Sequence, residues 1–318
     1  MSAGLDRTHV QRAFGRAAAS YAEHAALQAE VGERLRERLE LALDFAPRRV
    51  LDVGCGPAGG AALRQRYDDA QVIALDLALP MLKMGSKRGS KRGSESLSGA
   101  SVAGFAQERS PESDSDPLSP PLFLVCADAQ ALPLADASID LVHSNLCLQW
   151  CEDPGLAIAE FRRVLRPGGV LLFSTFGPDT LKELRAAFAE VDDQPHVSRF
   201  IDMHDIGDAL LVTGFRDPVL EREDFTLTYA DLPTLMHELR AIGATNADSR
   251  RQRSLTGRGR LQKVGAAYER LRHDGVLPAT YEVVYAHAFA PEPGQPRRTP
   301  QGDVASFPIE RLRGSRRR

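Results

Sequence analysis

The chain has 318 residues, 43% of them hydrophobic, and a formal net charge of −3 at pH 7. That is enough to bury the core of one large domain, while no apolar run approaches the ~18 residues that span a bilayer. The N-terminus carries no apolar export signal, so we expect a cytoplasmic protein with no membrane or nucleic-acid partner. The four cysteines form no C-x-x-C pair and have no clustered histidines, which argues against a disulfide or a metal site.

Residues 1–45 carry apolar side chains at helical spacing, which predicts two helices ahead of the first strand. A helical prefix adds nothing to a sheet, so we expect it to cover the mouth of a ligand site. Arg16 and Tyr21 could face that mouth; equally, they could be a solvated charge and a packing aromatic.

A short apolar strand, residues 48–53, runs directly into a glycine-rich turn. Gly54 and Gly56 remove side chains where a ligand must approach the backbone. The spacing Gly-x-Gly-x-x-Gly, with Asp76 twenty positions after Gly56, also fits a dinucleotide site. Asp52 separates the two possibilities, because a carboxylate at the strand end would repel a diphosphate but suits a ligand with an ammonium and a sulfonium group. The pattern therefore favours S-adenosylmethionine over a nicotinamide dinucleotide.

The second and third strands also end in acidic residues. Asp76 closes the strand 71–76 and is placed to accept hydrogen bonds from both ribose hydroxyls of an adenosine. Asp128 and Ala129 follow the strand 122–127, where a carboxylate and a backbone amide can recognise adenine. We therefore expect an adenosine site along this edge of the sheet.

The fourth strand, 139–143, leads into Asn145, Gln149 and Trp150. These residues lie just beyond its carboxyl end, where sheets of this kind keep their active sites. His143, at the end of the strand, is expected to be packed and hydrogen-bonded rather than catalytic.

Two stretches interrupt the alternation of strands and helices. Residues 85–120 are a Gly/Ser/Lys/Arg repeat followed by Ser/Pro-rich sequence, which predicts a disordered surface insertion. Residues 231–278 have helical patterning and are too long for a hairpin between the last two strands, which predicts a helical lid. Its basic side chains, Arg258 among them, could hold an anionic group or simply be solvated. The Pro/Gly-rich tail, 291–318, is predicted to be flexible.

Several motifs resemble those of the class I S-adenosylmethionine-dependent methyltransferases. They are Leu51–Gly56, Asp76, Asp128–Ala129, the approach to the fourth strand at 132–140, and Leu165–Gly169 ahead of the fifth. The resemblance implies an α/β, Rossmann-like seven-stranded sheet over residues 46–290, with the helical N-terminal prefix and the lid added to it. It also implies S-adenosylmethionine as the cofactor, with contacts from Asp52, Gly54, Cys55, Gly56, Asp76, Leu77, Asp128, Ala129 and Asn145.

Further segments resemble a narrower family, the malonyl-acyl-carrier-protein O-methyltransferases of the biotin pathway. They are residues 14–21, 145–150, 173–184 and 255–261. This resemblance implies methyl esterification of the free carboxylate of a malonyl thioester, with an acyl carrier protein as partner. Substrate contacts are then expected from Arg16, Tyr21, Gln149, Trp150 and Arg258. Because a malonyl carboxylate is already ionised at pH 7, no catalytic base is assigned.

Two other functions stay open at this point. The chain could methylate a different small carboxylic acid, because the Leu-Gln-Trp element at 148–150 is not confined to one substrate. It could also be a non-methylating assembly factor or hydroxylase built on the same cofactor fold, since the three acidic residues argue only that the cofactor binds. A nicotinamide oxidoreductase is disfavoured by Asp52.

Overall fold

Seven strands form the central sheet of the computed structural model, which describes residues 4–89, 122–251, 257–292, 297–299 and 302–304. They are β1 Arg49–Val53, β2 Gln71–Asp76, β3 Leu122–Cys126, β4 Ile139–Asn145, β5 Leu165–Phe176, β6 Arg216–Tyr229 and β7 Leu277–Phe289. Their order is β3-β2-β1-β4-β5-β7-β6, with β7 antiparallel to both neighbours and the other pairs parallel. The predicted α/β, Rossmann-like seven-stranded sheet is confirmed.

Helices surround this sheet. They are α1 Arg7–Ala17, α2 Tyr21–His24, α3 Ala26–Glu37, α4 Leu39–Ala42, α5 Ala61–Arg66, α6 Leu79–Gly89, α7 Pro154–Val164, α8 Lys182–Ala189, α9 Met203–Val212, α10 Leu232–Ala241 and α11 Arg258–Glu269. Asp6, Asp153, Asp202 and Asp231 precede α1, α7, α9 and α10, and each carboxylate accepts a hydrogen bond from a backbone N–H of the first turn. Such caps fix where a helix begins.

The core lies on both faces of the sheet, because successive strand residues point to opposite sides. On one face, Val50 of β1 shares a fully buried cluster with Val31 of α3. On the other face, Leu51 shares a cluster with Phe161 of α7. Burying one such side chain contributes roughly 1.5–3 kcal/mol, so the prefix helix α3 is as much a part of the core as α7 is.

The order of the strands positions the ligand site. The chain runs from β1 outward to β2 and β3, then returns to β4 on the opposite side of β1. Connections therefore leave the carboxyl ends of β1 and β4 in opposite directions, and open α/β sheets bind ligands in the crevice that this creates.

The prefix and the lid are joined by hydrogen bonds. The Asp6 backbone N–H donates to Ala247 O at 2.8 Å, and Ser20 Oγ donates to Ala241 O at 2.8 Å. His9 Nε2 lies 3.1 Å from Thr245 Oγ1, and Arg251 forms an ion pair with Asp6 at 3.0 Å. The prefix and the predicted lid are thus in direct contact, and their role as a cover stays a prediction.

Three boundaries differ from the predictions. The prefix contains four helices rather than two, because the chain bends around Ser20 to meet the lid. Helix α6 continues to Gly89, five residues into the stretch 85–120 predicted to be disordered; residues 90–121 lie outside the described residues.

The tail predicted to be flexible, 291–318, contains two short antiparallel strands, β8 Arg297–Thr299 and β9 Gly302–Val304. Within the described ranges, no helix is long and apolar enough to cross a membrane.

Candidate cofactor and substrate site

The glycine turn leaves open space beside Gly56 but not beside Gly54. Gly54 and Gly56 both have a positive φ, +69° and +56°. A Cβ on Gly54 would lie 2.6 Å from Cys147, whereas a Cβ on Gly56 would meet no atom within 4 Å. The backbone N–H groups of Gly54 and Cys55 both donate to Leu75 O, at 2.8 and 3.1 Å, and so hold the turn against β2. Gly56 therefore faces the space in which a ligand can approach the backbone.

Asp76 stands at the end of β2 beside this turn. Its carboxylate accepts hydrogen bonds from the backbone N–H groups of Gly56 at 3.0 Å and Ala78 at 2.8 Å. Burial raises the pKa of Asp76 to about 6, and Asp52 adds to the rise, although the two N–H groups act to lower it. At neutral pH the carboxylate is ionised with lone pairs to spare, as the recognition of ribose hydroxyls requires.

Asp52 is buried and pairs with a histidine. His143 Nδ1 lies 2.8 Å from Asp52 Oδ1 across the β1–β4 register. His143 is itself buried, and its Nε2 has no partner among the described residues. His143 is thus packed and hydrogen-bonded, as expected, and it holds one oxygen of Asp52.

The predicted adenine edge is in contact with the prefix. Asp128 Oδ2 forms an ion pair with Arg7 of α1 at 2.8 Å, and Asp128 Oδ1 accepts from the Gln130 backbone at 2.9 Å. Gln11 Nε2 donates to Leu77 O at 3.0 Å. Ala129 is buried next to Asp128. Helix α1 therefore lies across the ends of β2 and β3.

Asn145 uses both ends of its amide within the protein. Its Nδ2 donates to Gln28 O of α3 at 2.9 Å, and its Oδ1 accepts from Ser174 Oγ at 2.8 Å. The side chain therefore ties the prefix to the carboxyl end of β4. Its contact with a cofactor stays a prediction.

A cavity of about 90 Å³ lies between the prefix, the end of the sheet and the lid. Tyr21, Gln149 and Trp150, three of the predicted substrate residues, line it. Trp150 packs edge-on against Phe14 of α1, with ring centroids 5.1 Å apart. Burial, then the charge of Asp76, raises the pKa of Tyr21 above its ordinary value, so its hydroxyl stays neutral. Tyr21 therefore lines the cavity and also packs against the cluster that contains Ala78 and Met81, just beyond the end of β2.

The other two predicted substrate residues lie elsewhere. Arg16 is exposed on α1 and Arg258 is exposed at the start of α11; neither lines the cavity. Among the described residues, no lysine or arginine lines it at all. Contact of Arg16 and Arg258 with the substrate stays a prediction, and their positions outside the cavity lining do not support it.

Sequence reasoning missed several lining residues, including Gln28, His196 and Tyr281. They come from α3, from the segment between α8 and α9, and from β7. No local motif marks them, because only the packing of distant segments brings them together. The described part of the chain contains no group of three potential metal ligands.

Comparison with known proteins agrees with this geometry. The family described as a methyltransferase domain matches residues 51–173. The chain is 47% identical to the malonyl-[acyl-carrier protein] O-methyltransferase of Xylella fastidiosa (strain M23), over 98% of this chain and 97% of that protein. It is 50% identical to the protein of the same name from Methylovorus sp. (strain MP688), over 91% and 90% of the two chains.

The fold also matches a solved structure. A candidate methyltransferase from Bacillus halodurans C-125 superposes with a TM-score of 0.53 at 17% identity, over 82% of this chain and 100% of that one. At this identity the likeness shows a shared fold.

Proposed function

Because the chain belongs to the malonyl-[acyl-carrier protein] O-methyltransferase family, we propose that it esterifies the free carboxylate of a malonyl thioester held on an acyl carrier protein. The enzyme is a methyltransferase that depends on S-adenosylmethionine, which when bound supplies a methyl group on a sulfonium. The product ester carries no charge, and we place the reaction at an early step of biotin synthesis in the cytoplasm.

One observation carries this proposal. A cavity lined by Tyr21, Gln149 and Trp150 lies beyond the carboxyl end of β4, at the same edge of the sheet as Gly56 and Asp76. A small acceptor in the cavity would meet a cofactor on that edge, while the prefix and the lid keep bulk water away. The open space at Gly56 and the buried carboxylate of Asp76 both fit an adenosine-bearing cofactor.

The chemistry needs orientation and a dry site rather than a base. A malonyl carboxylate is ionised at pH 7, so its oxygen is already nucleophilic. Transfer requires that oxygen at about 3 Å from the methyl carbon and in line with the breaking bond. The negative acceptor and the positive sulfonium lose charge together as the methyl group moves, so an apolar enclosure favours the reaction.

We assign roles to the carboxylates at the edge of the sheet on the same basis. Asp76 would bind the ribose hydroxyls, Asp128 the adenine amine, and Asp52 the positively charged methionine end. The ion pair between Arg7 and Asp128, at 2.8 Å, would have to adjust for Asp128 to take that role.

The test is methyl transfer from labelled S-adenosylmethionine to malonyl-acyl carrier protein, with malonyl-CoA, free malonate and a free tricarboxylate in parallel. We expect a base-labile ester on the carrier-bound malonyl group. Label on a free acid alone would indicate a methyltransferase for another small acid. Cofactor binding with no transfer to any acid would favour a non-methylating assembly factor or hydroxylase, and binding of a nicotinamide dinucleotide instead would contradict the cofactor assignment.

A further inference from the structure

His196 is the one lining residue of the cavity held by a carboxylate of its own, within the described part of the chain. It lies between α8 and α9 with its side chain 13% exposed. Its Nε2 is 2.8 Å from Asp192 Oδ1, and its ring stacks on Phe188 with centroids 4.0 Å apart. The other Asp192 oxygen pairs with Arg260 Nε of α11 at 3.3 Å. The ring is therefore fixed in position and orientation.

The ionisation of Asp192 decides which hydrogen-bonding group the His196 ring can present to a ligand. Burial acts to raise the pKa of Asp192, but hydrogen bonds from the Gln194 backbone and His196, together with the charge of Arg260, bring the pKa below its ordinary value. An ionised Asp192 only accepts hydrogen bonds, so His196 Nε2 must carry a hydrogen. The neutral ring then presents a lone pair at Nδ1, whereas the protonated ring presents an N–H. Because Asp192 occupies Nε2, Nδ1 is the ring nitrogen left for a ligand.

Among the described lining residues, His196 is the one side chain able to carry a positive charge. Its ring pairs with Asp192, whose other oxygen pairs with Arg260. The two tyrosines of the lining are neutral, because burial raises the pKa of Tyr21 beyond its ordinary range and that of Tyr281 to about 12. A carboxylate that enters this largely apolar space meets no arginine or lysine among the described lining residues.

We propose that His196 binds the free carboxylate of the malonyl group through Nδ1–H and is the substrate-recognition residue of the cavity. This inference rests on the proposed function. A single N–H holds one carboxylate oxygen and leaves the other oxygen to attack the methyl group. Esterification removes the charge, so the product loses this partner and dissociates more easily.

The first test compares His196→Gln with the matched control His273→Gln. His273 also pairs with an aspartate, Asp274 at 3.1 Å, but its side chain is 82% exposed and remote from the cavity lining. Loss of a hydrogen bond to a charged group predicts that His196→Gln raises KM for malonyl-acyl carrier protein by about 10- to 100-fold, with a smaller change in kcat. The Kd for S-adenosylmethionine, measured by titration calorimetry, should stay within about twofold in both variants.

Unchanged KM in His196→Gln would overturn the inference while leaving the proposed function intact. Failure of the wild-type protein to methylate malonyl-acyl carrier protein would instead refute the proposed function. The two failures are thus distinguishable.

The second test uses the wild-type protein and does not depend on the folding of a variant. At a single pH, the protein should bind malonyl-acyl carrier protein at least about tenfold more tightly than its methyl ester product, because the ester offers no charged oxygen to His196. Equal affinity for the acid and the ester would contradict the inference.

Discussion

The cofactor edge and the substrate cavity are built in opposite ways. The edge takes Asp52, Asp76 and Asp128 from the ends of three strands, each within a short readable motif. The cavity takes mainly apolar side chains from positions as far apart as Phe14 and Tyr281. The edge presents several carboxylates to a ligand, whereas the cavity presents mainly apolar side chains around His196. Substitutions at the two regions should therefore separate cofactor binding from acceptor binding.

The largest expected effect is at Asp76. Asp76→Asn should weaken S-adenosylmethionine binding by about 100-fold, close to 3 kcal/mol, because charged acceptors for two hydroxyls are lost. KM for the malonyl substrate should change little. Titration calorimetry measures the first quantity and steady-state kinetics the second, with the exposed turn residue substitution Asp69→Asn as control. Equal losses of affinity for S-adenosylmethionine and for the malonyl substrate would contradict the separation of the cofactor edge from the substrate cavity.

The glycine turn provides a second separation. Gly54→Ala and Gly56→Ala both place a side chain at positive φ, which costs about 1–2 kcal/mol. Only Gly54→Ala also collides with Cys147, so it should lose about 1–3 kcal/mol more unfolding free energy in urea titrations. Gly56→Ala should instead show the larger loss of S-adenosylmethionine affinity relative to its loss of stability. Equal stability losses in the two variants would contradict the open space at Gly56.

Asp76 also gives a pH-dependent prediction for stability. Its pKa in the folded protein is about 6, above the ordinary 3.8, so the folded state binds the extra proton more tightly than the unfolded state. Its relative contribution to stability is therefore greatest below pH ~4 and is lost as pH rises through ~6, by up to about 3 kcal/mol. Asp76→Asn should raise the free energy of unfolding of the cofactor-free protein at pH ~7.5 by a net amount on the order of 1 kcal/mol, with a corresponding rise in Tm, and should not do so at pH ~4. A lower Tm at both pH values would show that ionised Asp76 is net stabilising.

The smallest expected effect lies in the cavity. Phe14→Leu removes the edge-on contact with Trp150, 5.1 Å between centroids, and should cost about 1 kcal/mol. We expect KM for malonyl-acyl carrier protein to rise about fivefold with S-adenosylmethionine affinity unchanged. Leu156→Ala, an exposed position on α7, is the control. A loss confined to S-adenosylmethionine affinity would show that Phe14 acts at the cofactor edge and not in the substrate cavity.

The sequence predicted the cofactor edge much better than it predicted the substrate cavity. The strand ends, the glycine turn and Asp76 were predictable because their signals lie within a few residues of one another. The break of the prefix at Ser20 was not, because it depends on a hydrogen bond to Ala241, far along the chain. The extension of α6 to Gly89 was missed since composition changes at Gly85 while the helix continues.

His196 shows the limit most clearly. Nothing near it in the sequence distinguishes it from the other histidines of the chain. Its relation to Asp192 is local, but its place in the cavity depends on α3, α8, α10 and β7 packing together. The sequence analysis instead expected a basic residue of the lid, Arg258, to contact the substrate carboxylate. Arg258 is exposed and does not line the cavity.

The prefix contacts have a consequence for the exchange of ligands. Helix α1 touches the predicted adenine edge through Arg7 and Gln11 and the predicted lid through His9, so one element contacts both regions. We expect that exchange of the spent donor requires α1 to detach from the sheet, which would also open the acceptor chamber. Detachment of α1 should then limit the exchange of both ligands.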